Sequence, residues 1–323
     1  MTMRVFIPRD AGAVAVGADE VALALEQAAA ARGMPLEIVR TGSRGLYWLE
    51  PMVEVVTSSG RIAFGPVSAT DVPSVLEAMA SEGPHALRLG APGKIFWLRR
   101  QTRLTFARCG VVDPRSLGDY RIHGGYDGLE RALSLGADAI LADVTASGLR
   151  GRGGAGFPTG IKWKTVALAP ADRKFIVCNA DEGDSGTFAD RMIMEGDPFV
   201  VIEGMTIAAI AVGATKGYIY IRSEYPHAVE AMNAAIIAAK RAGYLGSGIC
   251  GSKHDFDLEV RVGAGVTWKF TPNLTLDASA GYVPYQDFDV HADRIGFDTH
   301  STSFRTSLGD GAPYGEIGIS GSF

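Results

Sequence analysis

Two short segments of the chain concentrate residue types that bind cofactors. The first is Gly148–Trp163, which reads GLRGRGGAGFPTGIKW. Consecutive glycines let backbone N–H groups converge on an anion and let a flat ligand approach the main chain. Arg152 and Lys162 place positive charge in this loop, and Phe157 offers a ring that can lie against a planar ligand. The segment therefore predicts a site for a phosphate that carries an aromatic group.

This first loop fits neither of two well-known phosphate-binding fingerprints. Gly151, Gly153 and Gly156 satisfy G-x-G-x-x-G, but a dinucleotide-binding fingerprint follows a strand, and here the preceding residues have a helical pattern. Lys162 does not follow a glycine in the G-K-S/T order of a P-loop. The alternative interpretation is a flexible glycine loop with solvated basic side chains.

The second segment is Cys178–Phe188, which reads CNADEGDSGTF. The apolar run Lys174–Cys178 predicts a buried strand, and functional loops follow such strands in α/β sheets. Side chains that can bind ring edges and sugar hydroxyls come next: Asn179, Asp181, Glu182 and Asp184. An Asx-rich turn without a ligand is the alternative, but four such residues within six positions favour a site.

Three segments of different character carry these loops. Residues 1–82 follow the order strand, helix, strand, hairpin, helix, which predicts a thioredoxin-like domain without cluster cysteines. Residues 83–265 alternate strands and helices, including an amphipathic helix over Pro226–Ala242, and predict an α/β domain. Residues 266–323 alternate apolar and polar residues, which predicts a short antiparallel β tail similar to outer-membrane barrel strands.

Composition narrows the class of protein. The net charge of −5 does not indicate a nucleic-acid partner. The three cysteines have no metal-type spacing, so we expect no metal site, no disulfide and three buried reduced thiols. The N-terminus has no signal-like pattern, and the apolar stretch near Met205–Ala214 is too short to span a bilayer. We therefore expect a cytoplasmic protein with no membrane association for residues 1–265.

Four stretches of the chain together resemble a known family: SGLRGRGGAGFPTGIKW, VCNADEGDSGTFADR, IEGMTIAAIAVGA and GYIYIRSEYPHA. The family is that of NADH-oxidising FMN flavoprotein subunits, which includes the FMN subunit of complex I and diaphorase subunits of soluble hydrogenases. TGSRG, WLE and GPVSA, within 41–69, most closely resemble the β subunit of NAD-dependent formate dehydrogenase, which has a cysteine-free thioredoxin-like domain. The resemblance covers residues 3–265.

The resemblance implies roles for individual residues. FMN would be held by the first loop through Gly151, Arg152, Gly153, Gly154 and Lys162. It would also be held by the second loop through Asn179, Asp181, Glu182 and Gly183. Phe157 would contact the nicotinamide of NADH, and Asp184 would help to hold NADH. Hydride passes directly between NAD(H) and the flavin, so no catalytic acid or base is expected. The chain would exchange electrons with iron–sulfur and molybdenum-type catalytic subunits of a hetero-oligomer.

The resemblance ends near Gly263–Gly265. Family members continue there with a GEE-type motif, a ubiquitin-like domain and a helical domain with four cluster cysteines, whereas this chain continues VTWKFTPNLTLDASAGY. We therefore expect an incomplete FMN domain, no iron–sulfur cluster encoded in this chain, and a chimeric tail that packs loosely. The expected function is that of an NAD-dependent oxidoreductase subunit. A truncated, non-catalytic chain is the alternative. A third interpretation, an outer-membrane barrel protein, is supported by the tail alone. The α/β pattern of the rest of the chain argues against it.

Overall fold

The computed structural model describes residues 2–152, 155–184, 186–271, 274–283 and 312–321, and from residue 263 onward the description concerns the backbone. The chain forms two compact units. Unit 1 consists of Met1–Asp127 and Phe188–Val201, and unit 2 consists of Gly128–Thr187 and Ile202–Phe323. The domain boundaries expected at residues 82 and 265 stay predictions.

Unit 1 contains a five-stranded sheet of order β2-β1-β3-β4-β5. Its strands are β1 (Met3–Pro8), β2 (Leu36–Thr41), β3 (Val53–Thr57), β4 (Gly60–Phe64) and β5 (Arg88–Gly90). β1 pairs with β2 in parallel and with β3 antiparallel, and β3 and β4 form an antiparallel hairpin. This order confirms the thioredoxin-like arrangement expected for the N-terminal segment.

Five helices lie entirely within the described residues of unit 1, and short 3-10 turns lie at Tyr47–Leu49, Pro92–Lys94 and Leu98–Arg100. The helices are α1 (Ala11–Val14), α2 (Ala18–Ala31), α3 (Val72–Ser81), α4 (Leu117–Ile122) and α8 (Ala189–Gly196). In α2, Val21, Leu25 and Ala29 recur with helical period and are buried against the sheet. The helix ends before Gly33, whose φ of +62° lies in the left-handed region that glycine adopts without strain.

Unit 2 contains a second five-stranded sheet, of order β10-β9-β8-β7-β6. Its strands are β6 (Phe175–Ala180), β7 (Lys216–Arg222), β8 (Asp257–Thr271), β9 (Leu274–Val283) and β10 (Ala312–Gly321). β6, β7 and β8 run parallel, whereas β8, β9 and β10 pair antiparallel. The mixed α/β class and the antiparallel tail are therefore confirmed.

The remaining helices are α5 (Asp127–Leu135), α6 (Ala137–Ala146), α7 (Thr159–Leu168), α9 (Pro198–Val212) and α10 (Pro226–Arg241). A 3-10 turn follows at Ile249–Gly251. α10 begins with Pro226 at the first turn, where its missing N–H costs nothing. Met232, Ile236 and Ala239 are buried along one face of α10, as the periodicity predicts. The helix packs on β8, and the Lys240 ammonium lies 2.6 Å from the Asp257 carboxylate at the start of that strand.

The prediction that Lys174–Cys178 is a buried strand was wrong. Among the described strands, β6 lies at the edge of its sheet and pairs only with β7. Val177 is 65% exposed, and Phe175, Ile176 and Cys178 are only half-buried. An apolar run indicates a strand but does not decide whether neighbouring elements cover both of its faces.

The tail continues the sheet of unit 2 rather than starting a separate one. β8 runs without interruption through Gly263, Ala264 and Gly265, and its later residues pair with β9. The expected junction near Gly265 thus lies inside one strand. Pro272 and Asn273 lie outside the described residues, as does the side-chain packing of the tail that was expected to be loose. In the described ranges, we find no helix with the length and apolar character needed to cross a bilayer.

Candidate functional site

The first glycine-rich loop is closed by backbone pairing at its two ends. The Gly151 N–H donates to the Phe157 carbonyl at 2.9 Å, and the Thr159 N–H donates to the Leu149 carbonyl at 2.9 Å. Arg150 adds a third link, since its guanidinium donates to the Gly156 carbonyl at 2.8 Å. The two ends of the loop are therefore held together, which disfavours the alternative of a flexible glycine loop.

The charged and aromatic side chains expected to bind a ligand are exposed around this turn. Arg152 and Lys162 are exposed, and Phe157 is 49% exposed. Lys162 lies in the first turn of α7, whose free N–H groups and dipole favour a bound anion. Gly153 and Gly154 lie outside the described residues.

Gly160 fixes the position of α7, and the sequence analysis gave it no role. A Cβ added to Gly160 would lie 2.7 Å from the Cα of Thr145 on α6. Real Cβ atoms essentially never come this close to a backbone atom, so only glycine lets the two helices meet here. Gly160 therefore determines where the first turn of α7, which carries Lys162, packs against α6.

The second loop leaves the sheet at the carboxyl ends of parallel strands. In the register of β6 and β7, Ala180 is opposite Ile221, and Ile221 is in turn opposite Val262 of β8. The loop that follows Ala180 and the residues that follow Arg222 therefore lie at the same sheet edge. Ligands of open α/β sheets bind at this edge.

Hydrogen bonds within the second loop hold it in a compact turn. The Asn179 side-chain oxygen accepts from the Asp181 N–H at 3.1 Å, which is an Asx turn. Further on, the Asp184 carbonyl accepts from the Thr187 hydroxyl at 2.7 Å. Glu182 lies between these bonds with a φ of 48°, an uncommon conformation for a residue with a Cβ. Strained residues of this kind cluster at functional sites.

Arg222 ties the second loop to the end of β7. Its guanidinium donates to the Glu182 carbonyl at 3.1 Å and pairs with the Glu224 carboxylate at 3.1 Å. Hydrogen bonding to Arg222 lowers the pKa of Glu224 to about 2. Arg222 was not among the predicted site residues. The sequence could have indicated it, because GYIYIRSEYPHA places a cation at the end of a predicted strand.

The structure thus arranges the predicted residues in two groups within unit 2. The first group surrounds the turn closed by Gly151 and Phe157, with Arg152 and Lys162 beside it. The second group lies at the end of β6 and in the loop after it, and it consists of Asn179, Asp181, Glu182, Gly183 and Asp184. Within the residues that the structure describes, Arg152, Lys162, Asn179 and Asp184 are exposed, and Asp181 and Glu182 are half-buried.

The cysteines differ from the expectation that all three are buried. Cys109 is buried, which raises the pKa of its thiol to about 12, whereas Cys178 is half-buried and Cys250 is exposed. None of the three forms a disulfide. In the part of the chain that the structure describes, no group of three or more His, Cys, Asp or Glu side chains could hold a metal ion.

Comparison with known families covers the region that contains both loops. Residues 144–267 match the family described as the Nuo51 FMN-binding domain. This segment is therefore similar to an FMN-binding domain of that family. The expected relationship to NADH-oxidising FMN subunits is thereby confirmed, while the formate dehydrogenase type in particular is not.

Several curated relatives align with about half of this chain. It is 49% identical over 167 residues to the NADP-reducing hydrogenase subunit HndC of Solidesulfovibrio fructosivorans. That alignment covers 52% of this chain and 34% of the relative. It is 50% identical over 150 residues to an NADH-quinone oxidoreductase subunit of Aquifex aeolicus, covering 46% and 35% respectively. The chain therefore spans about a third of the length of these relatives.

A solved NAD+-reducing NiFe hydrogenase is similar over a longer part of the chain. The alignment has 25% sequence identity and a TM-score of 0.40, and it covers 81% of this chain and 43% of the hydrogenase chain.

Proposed function

We propose that this chain is the flavin-binding part of an NADH-oxidising flavoprotein subunit that transfers hydride between NAD(H) and FMN. The observation that carries the proposal is the match of residues 144–267 to the family described as the Nuo51 FMN-binding domain. Both loops, 148–160 and 181–187, lie in that segment.

The first loop has the donor set that the phosphate of FMN requires. The free N–H groups at the start of α7 and the exposed side chains of Arg152 and Lys162 all carry positive or partially positive charge. Charge-assisted hydrogen bonds from such groups are shorter and stronger than neutral ones. Gly153 and Gly154 belong to the same proposed phosphate site.

The planar rings of FMN and NADH require apolar surface and edge partners. Phe157 exposes half of its ring and would contact the nicotinamide. Around the second loop, the Asn179 amide and the carboxylates of Asp181 and Glu182 would bind ring edges and sugar hydroxyls. Gly183 lets the main chain come close to the flavin, and Asp184 would accept from the ribose hydroxyls of NADH.

Bound FMN supplies the hydride acceptor. The chain's residues would bind FMN and NADH and hold them at the required distance and orientation. Such positioning contributes much of the rate when two reactants must meet in one geometry. No side chain in either loop needs to move a proton. Arg222 fixes the Glu182 carbonyl and so holds the second loop in its turn.

A finer assignment rests on the N-terminal segment. The motifs TGSRG, WLE and GPVSA within residues 41–69 support a formate dehydrogenase β subunit, in which iron–sulfur and molybdenum-type subunits would exchange electrons with FMN in the cytoplasm. The names of the relatives, which are hydrogenase and quinone oxidoreductase subunits, support the coarser class of multi-subunit oxidoreductases.

A titration with two flavins tests the phosphate site. Lys162→Gln removes the proposed phosphate contact, and Lys164→Gln is a matched control because an exposed lysine two positions along a helix projects from the opposite side. Loss of a charge-assisted hydrogen bond of about 1.5–3 kcal/mol would weaken FMN binding about 10–100-fold in Lys162→Gln. Riboflavin, which lacks the phosphate, should bind both variants equally. Equal FMN affinity in the two variants would contradict the site.

NADH-ferricyanide activity of the FMN-loaded chain tests the reaction. Turnover that depends on added FMN supports the proposal. The second candidate, a non-catalytic chain, is favoured by the residues after Gly265, which read VTWKFTPNLTLDASAGY in place of a GEE-type motif. Flavin binding without turnover would favour that candidate.

A further inference from the structure

Three aromatic rings of unit 1 form one exposed cluster. Trp48 is 59% exposed, Trp97 is 54% exposed and Phe96 is 47% exposed. The ring centroids of Trp48 and Trp97 are 6.2 Å apart, and those of Phe96 and Trp97 are 5.3 Å apart. Soluble proteins rarely leave adjacent large rings in water without a binding role.

Two arginines extend this cluster. The guanidinium carbons of Arg99 and Arg100 lie 5.3 Å and 5.1 Å from the centroid of the Phe96 ring. Both arginines are exposed, and neither forms an ion pair with any residue that the structure describes. We call Trp48, Phe96, Trp97, Arg99 and Arg100 the aromatic–arginine surface.

The surrounding sequence is strongly basic. Residues 83–112 contain six Lys and Arg residues and no Asp or Glu, although the whole chain has a net charge of −5. The exposed members of this set include Arg88 and Lys94 in addition to Arg99 and Arg100. The charge is therefore concentrated on one segment, as expected for a surface that attracts an acidic partner.

The backbone beneath the surface is fixed by buried side chains. Pro92 and Leu98 are buried, and they anchor the 3-10 turns Pro92–Lys94 and Leu98–Arg100 on either side of Phe96 and Trp97. A fixed surface loses little conformational entropy on binding. Exposed tryptophan and arginine are also the residue types most enriched among binding hot spots.

We propose that the aromatic–arginine surface docks an acidic face of a partner subunit in the same assembly, a statement that rests on the proposed function. Carboxylates of the partner pair with Arg99 and Arg100, and an apolar side chain packs on the three rings. The ring geometry disfavours single-stranded nucleic acid. The interplanar angles of 77° and 85° set neighbouring rings edge-on, whereas successive bases stack on ring faces.

The test uses the full chain, loaded with FMN and co-expressed with the subunits encoded beside its gene. Trp97→Ala and Arg100→Glu are compared with two matched controls: Ile122→Ala, which truncates an apolar residue of unit 1 that is 82% exposed, and Lys253→Glu, an equal charge reversal in unit 2. Native mass spectrometry and titration give the dissociation constant for the purified co-encoded subunits. Each surface variant should weaken assembly about tenfold or more, and the controls should stay within about twofold.

Separate measurements keep the docking surface distinct from the proposed function. FMN content and NADH-ferricyanide activity should be unchanged in Trp97→Ala and Arg100→Glu, so loss of assembly with intact flavin chemistry supports the docking surface. Unchanged assembly in both variants overturns it, whether or not the chain oxidises NADH. Tryptophan quenching by a 20-mer of deoxythymidine that is abolished in Arg100→Glu would also overturn it, in favour of a nucleic-acid surface.

Discussion

The Glu195 carboxylate accepts a hydrogen bond of 2.7 Å from the backbone N–H of Ala11, although 184 positions separate the two residues. Glu195 is at the end of α8, and Ala11 begins α1. A second bond joins the same segment to another part of unit 1: the Arg108 guanidinium lies 2.9 Å from the buried Asp197 carboxylate. The chain therefore leaves unit 2 directly after the second loop and is anchored among N-terminal residues before it returns at Ile202.

The first prediction concerns the pH dependence of stability. Burial raises the pKa of Glu195 to about 7, and the negative charge of Asp10 acts in the same direction. The folded state therefore holds a proton that the unfolded state has lost, so the unfolding free energy falls as the pH rises from about 4.5 to about 7. Glu195→Gln keeps an acceptor for Ala11 and removes the charge. We expect the variant to gain about 1–3 kcal/mol relative to wild type at pH 8 and little at pH 4.5.

Urea unfolding at pH 4.5 and pH 8 measures this difference. Glu26→Gln, an exposed position on α2, is the matched control and should follow the wild-type pH dependence. A residual slope in Glu195→Gln is expected from Glu50, because burial raises its pKa to about 7 as well. If the unfolding free energy of Glu195→Gln differed between the two pH values by as much as that of the wild type, the assignment to Glu195 would be refuted.

The second prediction concerns the contact of two glycines inside unit 1. A Cβ on Gly42 would lie 2.4 Å from the Cα of Gly196, so one of the two backbone segments would have to shift. Gly42→Ala should therefore lower the unfolding free energy by about 1–3 kcal/mol through overpacking. Gly204→Ala is the control, because nothing lies within 4 Å of its added Cβ in helix α9. Thermal unfolding measures both variants, and equal losses would contradict the packing argument.

The third prediction concerns the hold of Arg222 on the second loop. Arg222→Gln removes the hydrogen bond to the Glu182 carbonyl, which ties the loop to the end of β7. Amide hydrogen exchange over residues 181–187 should become faster, and FMN affinity should fall about 3–10-fold. Glu224→Gln weakens the ion pair but leaves the loop contact, so it should preserve both properties. Similar behaviour of the two variants would show that the loop contact is unimportant.

The fourth prediction concerns the exposed ring of Phe157. Phe157→Ala removes aromatic contact of about 0.5–1.5 kcal/mol with the nicotinamide, so KM for NADH should rise about 3–10-fold while FMN affinity changes little. Leu149→Ala truncates an apolar side chain that is 44% exposed at the other end of the loop and should leave KM unchanged. Steady-state kinetics with ferricyanide as acceptor measures both. A loss of FMN in place of a rise in KM would assign the ring to the flavin.

Sequence patterns predicted most of the secondary structure because periodicity is a local property. The order strand, helix, strand, hairpin, helix predicted for residues 1–82 is found as β1, α2, β2, the β3–β4 hairpin and α3. Arg222 and Gly160 were missed for a common reason. The importance of each depends on one contact with a residue distant in sequence, Glu182 or Thr145, and no local pattern encodes such a pairing.

The sequence by itself determined the chemistry of the two loops, because glycine, lysine and carboxylate types limit what a site can bind wherever they lie. It also determined the class of the N-terminal segment, since the order of strands and helices restricts the topology. Only the tertiary structure decided that β6 is an edge strand, that β8 continues through Gly265 into the tail, and that α8 is held by Ala11. These features depend on which distant segments meet, and burial of apolar surface and backbone pairing select those partners after the local elements have formed.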